Sequence, residues 1–212
     1  MIKLQPLHNS RTKGNVTDKL TSAEVGKLWA TYMGNSMANR IFPYYLSNVD
    51  DTEIRSIVDK AYQLTERIMN TISDIFEREG HPLPRGFEEK DVNVGAPRLF
   101  GDEFYLHYLK YTCKAGISVY SIAVPLMSRL DVRDFFTECM SNTIELMNEV
   151  NDLLDAKGFL IKPPLISTPA NIDFVQKQSF LNGFFGDARP LSALEITHLY
   201  DNIQNNAISS AV

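Results

Sequence analysis

Four stretches of this chain repeat apolar residues at helical spacing, and the links between them run short, long, short. The first stretch runs from Ser22 to about Asn48, with Leu28, Trp29, Tyr32, Met33, Ser36, Met37, Arg40 and Ile41 near period 3.6. Pro43 either kinks it or ends its regular part. The second starts at Asp50 or Asp51 and continues to Glu79, with Ile54, Ile57, Val58, Ala61, Leu64, Ile68, Ile72, Ile75 and Phe76 in alternating steps of three and four, and Gly80 as its stop. A third spans Asp102 to about Arg129 with Pro125 as a late kink, and a fourth spans Asp131 to Gly158. At about 26 to 30 residues each, the helices are roughly 40 Å long, and such matched lengths describe a four-helix bundle. Links of two or three residues make each sequential pair an antiparallel hairpin. The segment from His81 to Gly101 could reach about 70 Å, the full length of the bundle. Two hairpins joined by a long crossover give the expected fold: all-α, a ferritin-like four-helix bundle occupying residues 20–158, with a fifth helix at the C-terminus.

That fifth helix echoes the first. A shift of 171 positions lays Leu20, Glu24, Leu28 and Asn35 on Leu191, Glu195, Leu199 and Asn206 without a gap. Both copies open with a hydroxyl residue three positions before a glutamate, Thr21 with Glu24 and Ser192 with Glu195, the signature of a capping box. Residues 191–212 therefore read as the first helix of an incomplete second repeat. Residues 159–190 are too apolar for a solvated linker, with Phe174, Val175, Phe180, Leu181, Phe184 and Phe185, and are expected to pack on the bundle or on a partner. Residues 1–19 form a flexible N-terminal arm.

Composition excludes several classes of partner. The net charge is −5, and Lys and Arg are scattered, so the chain lacks the basic footprint of a nucleic-acid or anionic-membrane binder. No stretch has the roughly 18 uncharged apolar residues needed to insert in a membrane, and the start has no signal-peptide core. Cys113 and Cys139 occupy interior-type helical positions and read as buried, reduced thiols.

The strings LTSAEVGKLW, DVNVGAPRLFGD, DVRDFFTECM, VQKQSFLNGFFGDARPLSALEITHLY and NIQNNA resemble an uncharacterised family of endospore-forming bacteria, a domain of unknown function often labelled spore-coat-like. The resemblance covers about residues 20 to 212. It implies tandem ferritin-like bundles whose activity is not established, of which this chain carries one and the opening helix of the next. It also implies a cytoplasmic or spore-associated protein.

The ferritin-like expectation raises the question of a di-iron carboxylate centre, which needs inward glutamates on two helices and a Glu-x-x-His on each of the others. From Val25 to Val49 the first helix has no carboxylate, and from Tyr105 to Leu130 the third has none. Glu195 with His198, and Glu103 with His107, are the local matches, and Glu195 is already accounted for as a helix cap. No metal and no cofactor are expected. Hydrolase elbows and phosphate loops are absent as motifs, and catalytic residues are expected to be none. Glu138, Glu145, Glu149 and Asp152 read as a solvated face.

Three functional expectations follow. The first is a non-enzymatic structural or protein-interaction role associated with sporulation, in which a homodimer forms through residues 174–212, with Phe180, Phe184, Phe185, Leu199 and Tyr200 as its contacts. The second is a small-molecule binding module with Trp29, Tyr32, Asn35, Tyr108 and Tyr111 lining a cavity between helices one and three. The same mixture of rings, hydroxyls and amides also suits a satisfied core. The third is a metal-dependent enzyme of ferritin-like type.

Overall fold

The computed structural model describes residues 18–172, 174 and 191–209, and among them there are five α-helices and no strand. The chain divides into two compact units, one reaching to Phe159 and one beginning at Leu160.

In the first unit, α1 (Ser22–Asn48) opens on the expected capping box. The Glu24 carboxylate accepts from the Thr21 N–H at 2.7 Å, while the Glu24 N–H donates to the Thr21 hydroxyl at 3.3 Å. The helix passes Pro43 without ending. Next, α2 (Thr52–Arg78) is capped by Asp51, whose carboxylate accepts from the Glu53 and Ile54 N–H groups at 2.9 and 3.1 Å. It closes at Gly80, whose φ of +68° lets the His81 N–H reach back to the Phe76 carbonyl at 2.9 Å. The third helix, α3 (Asp102–Ala123), stops earlier than the sequence suggested. Pro125 lacks the N–H a further turn would need, and Val124–Leu126 tighten into a 3₁₀ turn instead of continuing to Arg129. Then α4 (Leu130–Ala156) completes the bundle, followed by Gly158 at φ +75°.

Contacts at the two ends fix the helix directions. At one end Glu24, in the first turn of α1, accepts from the Ser128 and Arg129 N–H groups at 2.9 and 2.7 Å, just before α4. There the Arg129 guanidinium also meets Glu79 at 2.7 Å, just past α2. At the other end Lys157 bonds Asp51 and Glu53, both at 2.7 Å, and Asp102 accepts from the Asp51 N–H at 2.8 Å. Helices α1 and α4 therefore run one way and α2 and α3 the other. The hairpins α1–α2 and α3–α4 lie side by side, with α2 against both helices of the second hairpin.

The crossover between α2 and α3 returns along α1 as a strap. The Phe87 N–H donates to the Ser36 hydroxyl at 3.2 Å, the Ser47 hydroxyl to the Val94 carbonyl at 3.2 Å, and the Tyr44 hydroxyl to the Pro97 carbonyl at 2.9 Å. Gly86 is what lets the backbone lie so close: a Cβ there would stand 2.7 Å from Ser36 Oγ and 2.8 Å from Ser36 Cβ.

Core positions on α2 match the periodic reading except at Ile57, which is half-buried: Ile54, Val58, Ile68, Ile72, Ile75 and Phe76 are all buried. Each such side chain contributes about 1.5–3 kcal/mol on leaving water. The expected stripe on α1 is corrected. Leu28, Tyr32 and Ser36 are buried, but Trp29 and Met37 are exposed, and Thr31, Ala38, Asn39, Phe42 and Tyr45 are buried instead. Helix α1 touches α2, α3 and the strap, so it is covered on several sides, and no single apolar stripe was available for periodicity to find.

In the second unit, residues 160–172 form neither helix nor strand, with a bend at 170–171, and Leu165 and Ile172 stand exposed. Helix α5 (Ala193–Ser209) begins with a cap of the same geometry as that of α1: the Ser192 N–H and hydroxyl both reach Glu195 at 2.9 Å, and the Glu195 N–H reaches the Ser192 hydroxyl at 3.3 Å. Residues 1–17, 173, 175–190 and 210–212, and with them Phe180, Phe184 and Phe185, lie outside the described residues.

Candidate functional site: a cavity inside the bundle

On α1 the residues Thr31, Asn35, Ala38 and Phe42 follow steps of four, three and four and form one ridge facing inward. They meet Leu64, Thr65 and Ile68 of α2, Tyr108, Tyr111, Thr112, Cys113, Gly116 and Tyr120 of α3, and Thr143 and Leu146 of α4. Between them lies a cavity of about 320 Å³. It exists because the chain is short of side-chain volume here: Ala30, Gly34 and Ala38 on α1 are spaced by four, and Ala115 and Gly116 stand across from them on α3. A close-packed interior leaves few voids larger than a water, so a gap this size is a feature of the fold. Ala30, Gly34, Met37 and Ala115 both line it and are exposed, which places its mouth on the seam between α1 and α3.

Of the five residues expected to line such a site, the fold brings together Asn35, Tyr108 and Tyr111. Trp29 and Tyr32 fall outside the ridge. Trp29 is half exposed and lines a separate open pocket of about 340 Å³ with Val25, Phe76, His81 and Leu83, and Tyr32 is buried beside the strap at Gly86. Sequence reasoning missed Thr31, Thr65, Thr143 and the alanine and glycine positions. The four-residue spacing of Ala30, Gly34 and Ala38 was the signal that could have found them.

Several polar atoms of the lining are already bonded. The Asn35 amide donates to the Thr31 carbonyl at 2.8 Å and to the Tyr120 hydroxyl at 3.4 Å. The Asn39 amide donates to the Thr65 hydroxyl at 3.3 Å, and that hydroxyl donates to the Tyr62 carbonyl at 2.7 Å. Thr112 and Thr143 donate to the Leu109 and Cys139 carbonyls of their own helices at 3.0 and 2.7 Å. The Thr31 hydroxyl is different. It is buried and makes no hydrogen bond.

No carboxylate, imidazole, ammonium or guanidinium group lines the cavity. Burial, with a smaller contribution from Tyr111, raises the Tyr108 phenol to about 12, and burial raises Tyr120 to about 12 against the opposing Asn35 bond. Burial likewise raises the thiols of Cys113 and Cys139 to about 12. A thiol held protonated is a poor nucleophile, so the lining has no acid, base or activated nucleophile at neutral pH. The two cysteines, both buried and free, are expected to resist iodoacetamide at pH 8 in the native protein. Both should react once the chain is unfolded in denaturant. Rapid labelling of either without denaturant, read by mass spectrometry, would contradict their placement.

The metal-type pairs do not converge. His107 faces only Glu103, at 3.5 Å, and Glu195 caps α5. Among the described residues no three His, Cys, Asp or Glu side chains gather as a metal ion would require. On α4, Glu149 pairs with Lys60 of α2. No described helix is long and apolar enough to cross a membrane.

These features define an all-helical bundle with an internal, uncharged cavity. The chain belongs to the DUF3231 family, described as a protein family of unknown function, whose model matches residues 12–172. No curated protein matches it. Among solved structures, the chain is similar to a Bacillus halodurans C-125 protein named as a candidate spore coat protein, with 21% identity, a TM-score of 0.64, and 71% of this chain and 98% of that one covered. It is also similar to a conserved hypothetical protein of Mycobacterium tuberculosis, with 12% identity, a TM-score of 0.53 and coverages of 64% and 100%. A DUF305 fragment from Deinococcus radiodurans has 10% identity, a TM-score of 0.56 and coverages of 66% and 99%. Likenesses at these identities show a shared helical fold.

Proposed function

We propose that this protein is a binding module that holds a small molecule in the cavity between α1 and α3. The observation that carries the reading is an apolar space of about 320 Å³ within the bundle, open at the α1–α3 seam and lined by no charged group. Ligand sites are concave, mostly apolar and furnished with a few placed polar groups. The lining offers nothing for acid–base or metal chemistry, so the role is retention of a molecule, not its conversion. The up-down-down-up order with a strap between hairpins supports placing the bundle among ferritin-like folds without their carboxylate centre. The test is n-butylbenzene on the wild-type chain and on Gly34→Leu. Nothing lies within 4 Å of a Cβ built at Gly34, so the added side chain starts in open space at the mouth, and leucine favours the helix. Calorimetry should find one site per wild-type chain and none in the variant, with the variant melting no lower than wild type. Equal binding by both would remove the cavity from the reading.

A second reading is protein interaction, with sporulation as its setting, and a different observation favours it. Leu199 and Ile203, one turn apart on α5, form an apolar face and are each more than half exposed. Leu28, at the position of α1 that Leu199 echoes, is fully buried. Tyr200 is engaged within its own unit, where its hydroxyl donates to the Ile161 carbonyl at 2.7 Å. An unfilled helix face of this kind is covered most simply by a second copy across a two-fold axis. The resemblance to spore-coat-like sequences and the B. halodurans neighbour support the setting. Light scattering should then report a dimer for the full chain and a monomer for Leu199→Asp. A monomeric wild type at micromolar concentration would end this reading.

A further inference from the structure

The binding reading leaves open what the cavity takes, and its wall narrows the choice. Size comes first. An engineered protein cavity of about 150 Å³ accepts benzene, so a space of about 320 Å³ holds roughly a dozen non-hydrogen atoms. Charge comes next. No ionised side chain lines the wall, so a carboxylate or ammonium group entering it would shed its hydration without gaining a partner.

Hydrogen bonding decides where a polar atom of the ligand would go. The Thr65, Thr112 and Thr143 hydroxyls have given their protons to backbone carbonyls, and the Asn35 amide is held by the Thr31 carbonyl and the Tyr120 oxygen. The unbonded Thr31 hydroxyl is sealed from open space, so it meets no ligand. Three phenols remain on the wall, Tyr108, Tyr111 and Tyr120, all from α3. Tyr120 already receives the Asn35 N–H at 3.4 Å. The Tyr108 hydroxyl has no hydrogen-bond partner among the described residues, yet it is not sealed off as that of Thr31 is. Because Tyr108 as a whole is only 3% exposed, the space its oxygen meets is the cavity. Its ring stands edge-to-face with Phe42 and Tyr45, at 6.5 and 5.2 Å between centroids, so the hydroxyl is in place before a ligand arrives. Burial, and then Tyr111, raise its ionisation to about 12, so it remains a donor at neutral pH.

We propose that the cavity takes an uncharged molecule of about a dozen non-hydrogen atoms, an apolar body with one carbonyl-type oxygen that accepts from the Tyr108 hydroxyl. This rests on the cavity being a binding site. A carbonyl matches the donor because it brings no proton of its own that would need a further acceptor.

The probes are butyrophenone, n-butylbenzene, 4-phenylbutyrate and 4-phenylbutylammonium, close to one another in size, titrated calorimetrically at neutral pH into the full chain and into Tyr108→Phe. Phenylalanine keeps the ring against Phe42 and Tyr45 and removes only the donor. It strands no partner, so the variant should melt with wild type. Butyrophenone and butylbenzene should each bind once per chain, with both charged probes at least about tenfold weaker. Tyr108→Phe should weaken butyrophenone roughly fivefold, the worth of one hydrogen bond, and leave butylbenzene unchanged. A charged probe binding wild type as tightly as butyrophenone would overturn the uncharged class. Unchanged butyrophenone affinity in Tyr108→Phe, or an equal loss for butylbenzene, would overturn the Tyr108 contact. In both cases butylbenzene bound to wild type leaves the cavity standing as a site. Binding of neither neutral probe would bring down the binding reading together with this inference.

Discussion

Glu24→Ala should destabilise the protein by about 3–5 kcal/mol, the largest loss expected from removing one polar side chain, because it strands buried donors. Glu24 is fully buried, and four donors converge on its carboxylate: the Thr21 N–H and hydroxyl, and the N–H groups of Ser128 and Arg129. A helix cap alone is worth about 1 kcal/mol. The remainder comes from the loop before α4, whose two N–H groups lose their acceptor at the point where three helix ends meet. In a chain of this size the loss corresponds to a fall of roughly 10 °C in melting temperature. A fall of only two or three degrees would mean that Glu24 is a local cap and does not hold the bundle end together.

The same carboxylate sets part of the acid limit. Burial alone would raise its ionisation, but the bonds from Arg129, Thr21 and Ser128 outweigh burial and hold it below the ordinary 4.5. Because the folded value is the lower one, the unfolded chain binds the extra proton first. The stabilisation is present above about pH 4.5 and is lost as pH falls through the folded value. Glu24→Gln, measured by denaturant unfolding across this range, should show a flatter acid limb than wild type. An unchanged limb would assign acid sensitivity elsewhere.

Tyr45→Ala should cost about 3–5 kcal/mol, as expected for emptying a large buried aromatic site. Tyr45 is 2% exposed and stands at the centre of a ring cluster, 4.5 Å from Tyr105 and 5.2 Å from Tyr108 between centroids, with Phe42, Tyr44 and Phe104 within 6.5 Å. The cluster joins the end of α1 to the start of α3, and Tyr44 beside it holds the strap. Chemical denaturation should therefore lose its midpoint sharply, with weakened near-ultraviolet dichroism before unfolding. Burial, then the neighbouring phenols Tyr108, Tyr105 and Tyr44, raises the Tyr45 ionisation well above the ordinary 10. A raised acid of this kind leaves stability intact below about pH 10 and erodes it as pH climbs further. Tyrosinate absorbance should show a late fraction that appears together with unfolding. A midpoint within about 1 kcal/mol of wild type would place Tyr45 outside the core.

The helices were legible in the sequence because their signals are local. Thr21 with Glu24 and Asp51 before Thr52 announce helix starts, Gly80 and Gly158 announce stops, and the isoleucine ladder of α2 faces a single side. Connection lengths carried the pairing of helices into hairpins, since two or three residues leave a chain no choice but to turn back. Pro125 was legible as a disturbance, but not as the end of α3, because a proline late in a helix can be absorbed or can terminate it according to what packs beyond.

The site was legible in part. Of the five residues named for their rings and amides, Asn35, Tyr108 and Tyr111 stand on the cavity wall and Trp29 and Tyr32 stand elsewhere. The inward face of α1 is decided by α2, α3 and the strap together, and that arrangement is a property of the assembled bundle. The sequence by itself determined the number and pairing of the helices and every helix end but the last turn of α3, since capping, periodicity and link length act over a few residues. Only the tertiary structure decided that Ala30, Gly34 and Ala38 would meet Ala115 and Gly116 across a gap. A void is the failure of distant side chains to reach one another, so the small-residue spacing on α1 marks one wall of it and leaves the opposite wall unwritten.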